Sequence, residues 1–267
     1  MPEARWHSPA LMRATIALHV LALAAVFTEP ARWPWALGAV VASHWLVVGV
    51  GLWPRSRWLG PNWTRLPAAA AARNEIALTI DDGPDPAVTP LVLDLLDRHA
   101  ARATFFCIGA QAERHPELCR EIVRRGHAVE NHSQRHSHDF SLLGPAALAR
   151  ELQASQETIT RICGQRPLFF RAPAGLRNLF LEPVLARLGL TLASWSVRGF
   201  DTRTGDPARV TGRLLRALRP GAILLLHDGH AARTAANAPV ILDVLPTVLE
   251  RAAAAGLRAV TLRQALS

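Results

Sequence analysis

Glu75-Ile76-Ala77-Leu78-Thr79-Ile80-Asp81-Asp82-Gly83-Pro84 is an apolar run that stops on two adjacent carboxylates and a Gly-Pro pair. A short apolar run bounded by turn residues reads as a buried strand. Two charges at its end are costly to place near a core unless a partner, a cation or a reaction uses them. Asp-Gly-Pro is also ordinary turn chemistry. The meaning of the pair therefore depends on what the rest of the chain brings to it.

From Glu75 onward the pattern alternates. Strands are predicted at 76–80, 103–107, 127–131, 168–171, 191–196, 222–226 and 258–261. Helices are predicted between them at 90–99, 116–125, 145–162, 179–188, 207–218 and 240–255. Several helices open with proline, whose missing N–H costs nothing in the first turn. Gly126, Gly189 and Gly256 follow helices as C-terminal caps. Seven strands alternating with helices predict an α/β protein, either a barrel or an open doubly wound sheet.

The polar residues fall at one end of these strands. Asp81 and Asp82 end the first, His132 follows the third, and Arg171 ends the fourth. Asp201 lies past the fifth, and His227 and Asp228 end the sixth. Parallel α/β barrels build their sites at the C-terminal ends of strands. His132 and His136 stand four apart, a spacing that puts both imidazoles on one side of a helical turn, as in helical metal sites. With Asp82 across the mouth, they predict a two-His, one-carboxylate divalent site. Zinc fits the ligand types, and other first-row metals share them.

The first 65 residues differ. The 21-residue stretch from Trp33 to Trp53 holds no Asp, Glu, Lys or Arg, and Trp33, Trp35 and Trp53 lie near its ends. That is the pattern of a transmembrane helix with interfacial anchors. The uncharged segment 14–27 has 14 residues; it either spans with its flanks or lies in the interface. If both span, Arg5, Arg13, Arg55, Arg57 and Arg65 share a side against Arg32, and the positive-inside rule puts both ends in the cytoplasm. If only the second spans, the rule is silent. The expected localisation is the inner (plasma) membrane.

The net charge is +9, and all 30 basic residues are arginine. They are scattered, with no nucleic-acid motif, so membrane lipid is the expected anionic neighbour and nucleic acid is not. Cys107, Cys119 and Cys163 have no C-x-x-C spacing and read as small buried hydrophobes.

The motifs resemble those of the polysaccharide deacetylases, the NodB-homology carbohydrate esterases. Thr79-Ile80-Asp81-Asp82-Gly83-Pro84 looks like the family's first signature and Asn131-His132-Ser133-Gln134-Arg135-His136 like its second. Arg171-Ala172-Pro173-Ala174-Gly175 is similar to the third. The segment from Trp195 to Asp201 resembles a diverged fourth, and Leu225-Leu226-His227-Asp228 resembles the fifth. Thr104-Phe105-Phe106 is a further family stretch. The resemblance runs from about Glu75 to Leu262 and keeps the motif order.

The resemblance implies a partial (β/α) barrel of seven or eight units. With the apolar segments that precede the resemblance, the expected division is a membrane anchor of one or two transmembrane helices at 1–65, a linker at 66–74 and a polysaccharide-deacetylase-like catalytic domain at 75–267. The resemblance also implies hydrolysis of an N-acyl group, usually acetyl, on an amino sugar, with polysaccharide the usual substrate; a cytoplasmic face would instead favour an oligosaccharide or lipid-linked glycan. Asp82, His132 and His136 would hold the metal. Asp81 would be the general base and His227 the general acid. Arg171 would restrain Asp81, Asp201 would pair with His227, and the Ala174 N–H would complete an oxyanion hole. Pro173, Ala174, Leu225 and Phe200 would line the substrate pocket.

Each role has its own chemical reason. An amide resists water, so a nucleophile must be generated at neutral pH. The tetrahedral oxyanion needs fixed donors, and the amine must leave protonated, a task suited to histidine. The fourth motif departs from the family's D-x-x-D-W: Arg198 stands at the first acid and Thr202 at the tryptophan. Ala174 stands where an aromatic is usual. These changes open the pocket and bear on the substrate more than on the chemistry. His138, Asp139 and His230 read as solvated loop residues. A membrane-tethered carbohydrate-binding protein without turnover is the alternative on this fold. Asp81 and His227 speak against it, because binding alone needs neither a base nor an acid.

Overall fold

The computed structural model describes residues 7–267. Two helices, α1 (Ala10–Thr28) and α2 (Trp33–Gly51), form a hairpin around a 3-10 turn at Pro30–Arg32. Both are 19 residues long and apolar enough to cross a membrane. They are apolar all round rather than on one face, and large side chains such as Phe27 (87 % exposed) and Trp35 (83 %) point outward. A water-soluble surface helix would keep a polar face there.

Residues 52–66 are threaded against the sheet. Leu59 and Leu66 are buried, Trp63 bridges to Ala193, and the Leu66 N–H donates to the Gly221 carbonyl at 2.9 Å. The alanine run forms a short helix, α3 (Ala68–Ala72).

The remainder is a parallel sheet curled into a partial barrel and covered by helices. Its elements in order are β1 (Glu75–Asp81), α4 (Thr89–Arg98), β2 (Ala103–Cys107), α5 (Gly109–Arg114), α6 (Pro116–Arg124) and β3 (Ala128–Asn131). Then come α7 (Pro145–Cys163), β4 (Phe169–Phe170), α8 (Leu181–Leu188), β5 (Thr191–Leu192) and β6 (Val197–Arg198). Last are α9 (Pro207–Leu215), β7 (Ile223–His227), α10 (Val240–Ala254) and β8 (Arg258–Val260). The strand order is β5-β4-β3-β2-β1-β7-β6, with β8 paired to the first half of β1. The three cysteines are free, two of them buried.

The strand predicted at 191–196 is two strands. After Leu192 the chain leaves β4: Trp63 intervenes, its N–H donating to Leu192 and its carbonyl accepting from Ser194, each at 2.9 Å. The Ser196 N–H then donates to Ile223, and the chain joins β7 as β6. Because β5 and β6 are consecutive in sequence but at opposite ends of the sheet order, this crossing draws the two edges together.

Strand alternation sets what each face carries. On β1, Ile76, Leu78 and Ile80 join the core between sheet and helices. Ala77 joins an inner cluster with Phe106, Phe169, Trp195 and Leu225. Thr79 and Asp81 follow Ala77 at the inward positions. Asp81 is the register partner of Phe106 on one side and of His227 on the other. One end of the barrel interior thus becomes polar.

Candidate active site

Asp81 and Asp82 are adjacent but separated in task by the backbone. Asp81 is the last inward residue of β1. Asp82 has φ 76°, which turns its side chain away from the strand direction toward the rim. The left-handed region is disfavoured for non-glycine residues. Ser133, His136, Ala174, Phe200 and His230, all at this end of the barrel, share it. The glycine of the first motif answers to crowding. A Cβ on Gly83 would lie 2.4 Å from the Asp228 carboxylate. Asp228 is itself fixed by the Thr89 hydroxyl and the Gly229 N–H, and burial pushes its carboxyl up to about 7.

Asp81 is fixed by Arg171. The guanidinium is buried at 1 % exposure. Its Nη1 donates to Asp81 Oδ1 at 2.7 Å and to Thr79 Oγ1 at 2.8 Å. Its Nε and Nη2 donate to the carbonyls of Ala193 (3.0 Å) and Ser194 (2.7 Å), over the Phe106 ring. Asp81 Oδ2 is left facing the cleft, 3.8 Å from His132 Nε2.

His132 and His136 do not share a helical turn. Residues 132–139 form an irregular loop whose Ser133 and His136 have positive φ. Asn131 Oδ1 accepts the Ser133 N–H (2.9 Å) and Ser133 Oγ accepts the His136 N–H (3.0 Å). These short-range bonds offer the backbone an alternative to the helix. The outcome for the rings is the one the spacing suggested: their centroids lie 4.7 Å apart.

Ligand atoms of Asp82, His132 and His136 all lie within 4.8 Å of one another. Asp82 Oδ1 is 3.2 Å from His132 Nε2 and 3.3 Å from His136 Nε2. Those spacings match the ~3.3 Å edge of a tetrahedron with ~2.0–2.1 Å bonds. The donor chemistry fits as well. His132 Nδ1 lies 2.8 Å from the Arg171 carbonyl, which can only accept, so Nδ1 carries a proton and Nε2 is the nitrogen turned to the cleft. Nε2 faces a carboxylate oxygen, an arrangement that suits a cation between them. Burial, reinforced by the charge of His132, pulls His136 down to about 4, leaving it neutral. Burial acts to raise Asp82, but the His132 and His230 contacts outweigh it and hold the carboxylate well below its usual range.

On the other side, His227 Nδ1 is 2.9 Å from Asp201 Oδ1, and its backbone N–H donates to Asp201 Oδ2 at 2.7 Å. Burial pulls the imidazole pKa down, but Asp201, with Asp81 and Asp82, outweighs it and raises the pKa above the ordinary histidine value. Nε2 remains free. At Ala174, φ is 54°, and among the described residues its N–H meets no acceptor.

These groups border a cleft of about 520 Å³. Asp81, Asp82, His132, His136, His227, Ala174 and Leu225 all line it. Arg171 and Asp201 stand behind the lining, in contact with Asp81 and His227. Pro173 is buried behind Ala174. Phe200 stands outside the lining, 39 % exposed, its ring 5.2 Å from both Arg198 and Arg213. Trp195 supplies the aromatic wall instead.

His230 is not simply a solvated loop residue. Its ring is 68 % exposed, but Nδ1 lies 3.3 Å from Asp82 Oδ2, on the side away from the two histidines. Its place three residues after His227 is the sequence signal. His138 also lines the cleft, whereas Asp139 precedes the short 3-10 helix Phe140–Leu142.

Comparison with known proteins places the sequence and the fold among known relatives. The family model described as polysaccharide deacetylase matches residues 68–193. A chitooligosaccharide deacetylase of Bradyrhizobium is 41 % identical over 156 residues, 58 % of this chain and 71 % of that protein. A peptidoglycan-N-acetylglucosamine deacetylase of Bacillus cereus is 29 % identical, covering 78 % of this chain and 75 % of its own. A solved peptidoglycan N-acetylglucosamine deacetylase in complex with 4-naphthalen-1-yl-N-oxidanyl-benzamide superposes with TM-score 0.68 at 27 % identity, over 76 % of this chain and 91 % of that one. A family 4 carbohydrate esterase from Streptomyces lividans in complex with acetate gives TM-score 0.63 at 32 % identity, over 70 % and 91 %. The ordered motifs, the curled parallel sheet and these relatives together place the chain in the polysaccharide deacetylase family, hydrolases that act on N-acetyl amide bonds.

Proposed function

We propose that the protein is a membrane-anchored, divalent-metal-dependent deacetylase that releases acetate from N-acetylglucosamine units of a glycan. The observation that carries this reading is the shared cleft. An Asp-His-His cluster with metal-ligand spacing sits between a carboxylate and an imidazole from neighbouring strands of one register. The relatives named for chitooligosaccharide and peptidoglycan deacetylation supply the sugar.

Asp82, His132 and His136 would hold the cation, with zinc best matched to the ligand set. When bound, it supplies Lewis acidity toward the amide carbonyl and lowers the pKa of water. Asp81 takes the proton of the attacking water at Oδ2, while Arg171 occupies Oδ1 and fixes the carboxylate's plane. The Ala174 N–H is placed to donate to the oxygen that gains charge. As the C–N bond breaks, His227 gives its Nε2 proton to the departing nitrogen, leaving acetate and a free amine. Asp201 holds the ring in place and supports its charge.

The helix hairpin would anchor the enzyme in the inner membrane and bring it against membrane lipid. With two full-length helices, the arginine balance favours a cytoplasmic catalytic face. The binding-only alternative gains no support from a site in which base and acid both reach the cleft. The test uses purified full-length protein, stripped of and reloaded with divalent metal, acting on N-acetylglucosamine oligomers. Metal-dependent acetate release that Asp81→Asn abolishes is expected. Sugar binding without acetate release, equal in both proteins, would refute the assignment.

A further inference from the structure

We propose that Arg198 makes the cleft selective for an amino sugar carrying a phosphate ester, and that this phosphate links the sugar to a lipid of the adjacent bilayer. The inference rests on the deacetylase reading above and adds a substrate class to it.

Arg171 and Arg198 both project into the barrel interior, and they are not alike. Arg171 spends its donors on Asp81, Thr79 and two carbonyls. Arg198 is the register partner of Leu225, so both project inward and both line the cleft. Its only side-chain hydrogen bond among the described residues is from Nη2 to the Thr202 hydroxyl at 3.3 Å. Its Nε is buried without a partner. No carboxylate forms an ion pair with it among the described residues; Asp201, three residues on, is committed to His227. The Trp195 and Phe200 rings, 5.8 and 5.2 Å from its Cζ, restrict where it can go. A buried donor left unmade is destabilising. A guanidinium is charged at every working pH, and its forked donors suit a phosphate. The site thus holds a fixed, half-buried cation whose missing partner is an anion. Of the other arginines that line the cleft, Arg135 pairs with Glu151 at 2.6 Å and Arg114, at the end of α5, is exposed to solvent.

The same wall is fastened to the segment that leaves the hairpin. A Cβ on Gly175 would meet Trp195 Cη2 at 2.5 Å and Pro54 Cβ at 2.7 Å. Ser194 Oγ donates to the Pro54 carbonyl at 2.6 Å, and Arg55 Nη1 donates to the Ser196 carbonyl at 3.0 Å. The Arg177 N–H donates to Gly51, the last residue of α2, at 3.2 Å. Gly175 and Trp195 line the cleft beside Arg198. The cleft wall is therefore continuous with the end of a candidate membrane span. A compact cleft there suits one glycosyl phosphate held at the lipid surface.

The test compares three substrates with full-length protein in nanodiscs: a short prenyl-phosphate-linked N-acetylglucosamine, free N-acetylglucosamine 1-phosphate, and neutral N-acetylglucosamine oligomers. Wild type should show kcat/KM at least about tenfold higher on the prenyl-phosphate substrate than on the oligomers. Arg198→Gln should reduce that preference by about 10- to 100-fold, the worth of a charge-assisted contact, and Arg198→Lys should restore part of it. A preference identical in wild type and Arg198→Gln overturns the anion site and leaves the deacetylase reading intact. Equal rates on the prenyl-linked and free phosphates overturn the lipid link. Equilibrium binding of N-acetylglucosamine 1-phosphate gives a readout without turnover. Binding that Arg198→Gln loses, with no acetate released from any substrate, sinks the deacetylase reading and keeps the anion site.

Discussion

Arg171→Met separates the structural task of the Asp81–Arg171 pair from its chemical one. Both partners are nearly inaccessible, the side chains 1 % and 4 % exposed, and the contact is 2.7 Å. Removing one member of such a pair leaves a buried charge uncompensated and costs about 3–5 kcal/mol. Here the loss also strips donors from Thr79 and from the carbonyls of Ala193 and Ser194, which places the expected cost toward the upper end. For a domain of this size that corresponds to a fall in melting temperature of roughly 6–20 °C. The assay is thermal unfolding of the full-length protein in detergent, followed by near-UV circular dichroism, across a cycle of wild type, Asp81→Asn, Arg171→Met and the double variant. The double variant should be less destabilised than the sum of the singles by about 1–3 kcal/mol, because no buried charge is left alone. Acetate release should fall by about 10²–10⁴-fold in Asp81→Asn. The double variant, more stable than additivity predicts, should be no more active. A cost below about 1 kcal/mol for Arg171→Met, or strict additivity, would refute the argument that this pair is held by mutual compensation.

Three further outcomes follow from the geometry. Because Asp201 outweighs burial and raises the His227 pKa, the proposed general-acid role of His227 predicts activity that persists below that raised pKa and is lost as pH climbs through it. Asp201→Asn at the same metal loading should therefore move the alkaline limb of kcat/KM to lower pH, and an unmoved limb would remove His227 or its partner from the mechanism. Gly83→Ala forces a Cβ against the anchored Asp228 carboxylate and should cost about 1–3 kcal/mol, read as a lower melting temperature; a wild-type melt would mean the loop yields. A reporter active only in the periplasm, fused after Ser267, should stay silent, and activity would place the catalytic domain outside.

Much of this protein was legible in its sequence because the signals are local. The β1 run alternates Ile, Leu and Ile outward with Ala, Thr and Asp inward, and period two is a property of the strand itself. The Pro-initiated helices and the ordered motifs are likewise read from neighbours in the chain. Helix α5 leaves no sequence signal: Gly109–Arg114 is six residues long, too short for an amphipathic period to show. The split of the strand predicted at 191–196 has its cause in Trp63, about 130 residues away. The helical turn that the His132–His136 spacing predicts is replaced by a loop set by side-chain-to-backbone bonds from Asn131 and Ser133.

The sequence alone determined which residue types are present, in what order along the strands, and hence that carboxylates, imidazoles and a guanidinium meet at one end of a barrel. Only the tertiary structure decided how they divide the work. Positive φ at Asp82 sends two adjacent carboxylates to different partners. The barrel interior engages every nitrogen of Arg171 and, among the described residues, gives Arg198 no carboxylate partner. His230 is brought to Asp82 from 148 residues away. Local pattern fixes where a side chain points relative to its own backbone. Which atoms it meets depends on long-range packing of strands and loops, and no short stretch of sequence carries that information.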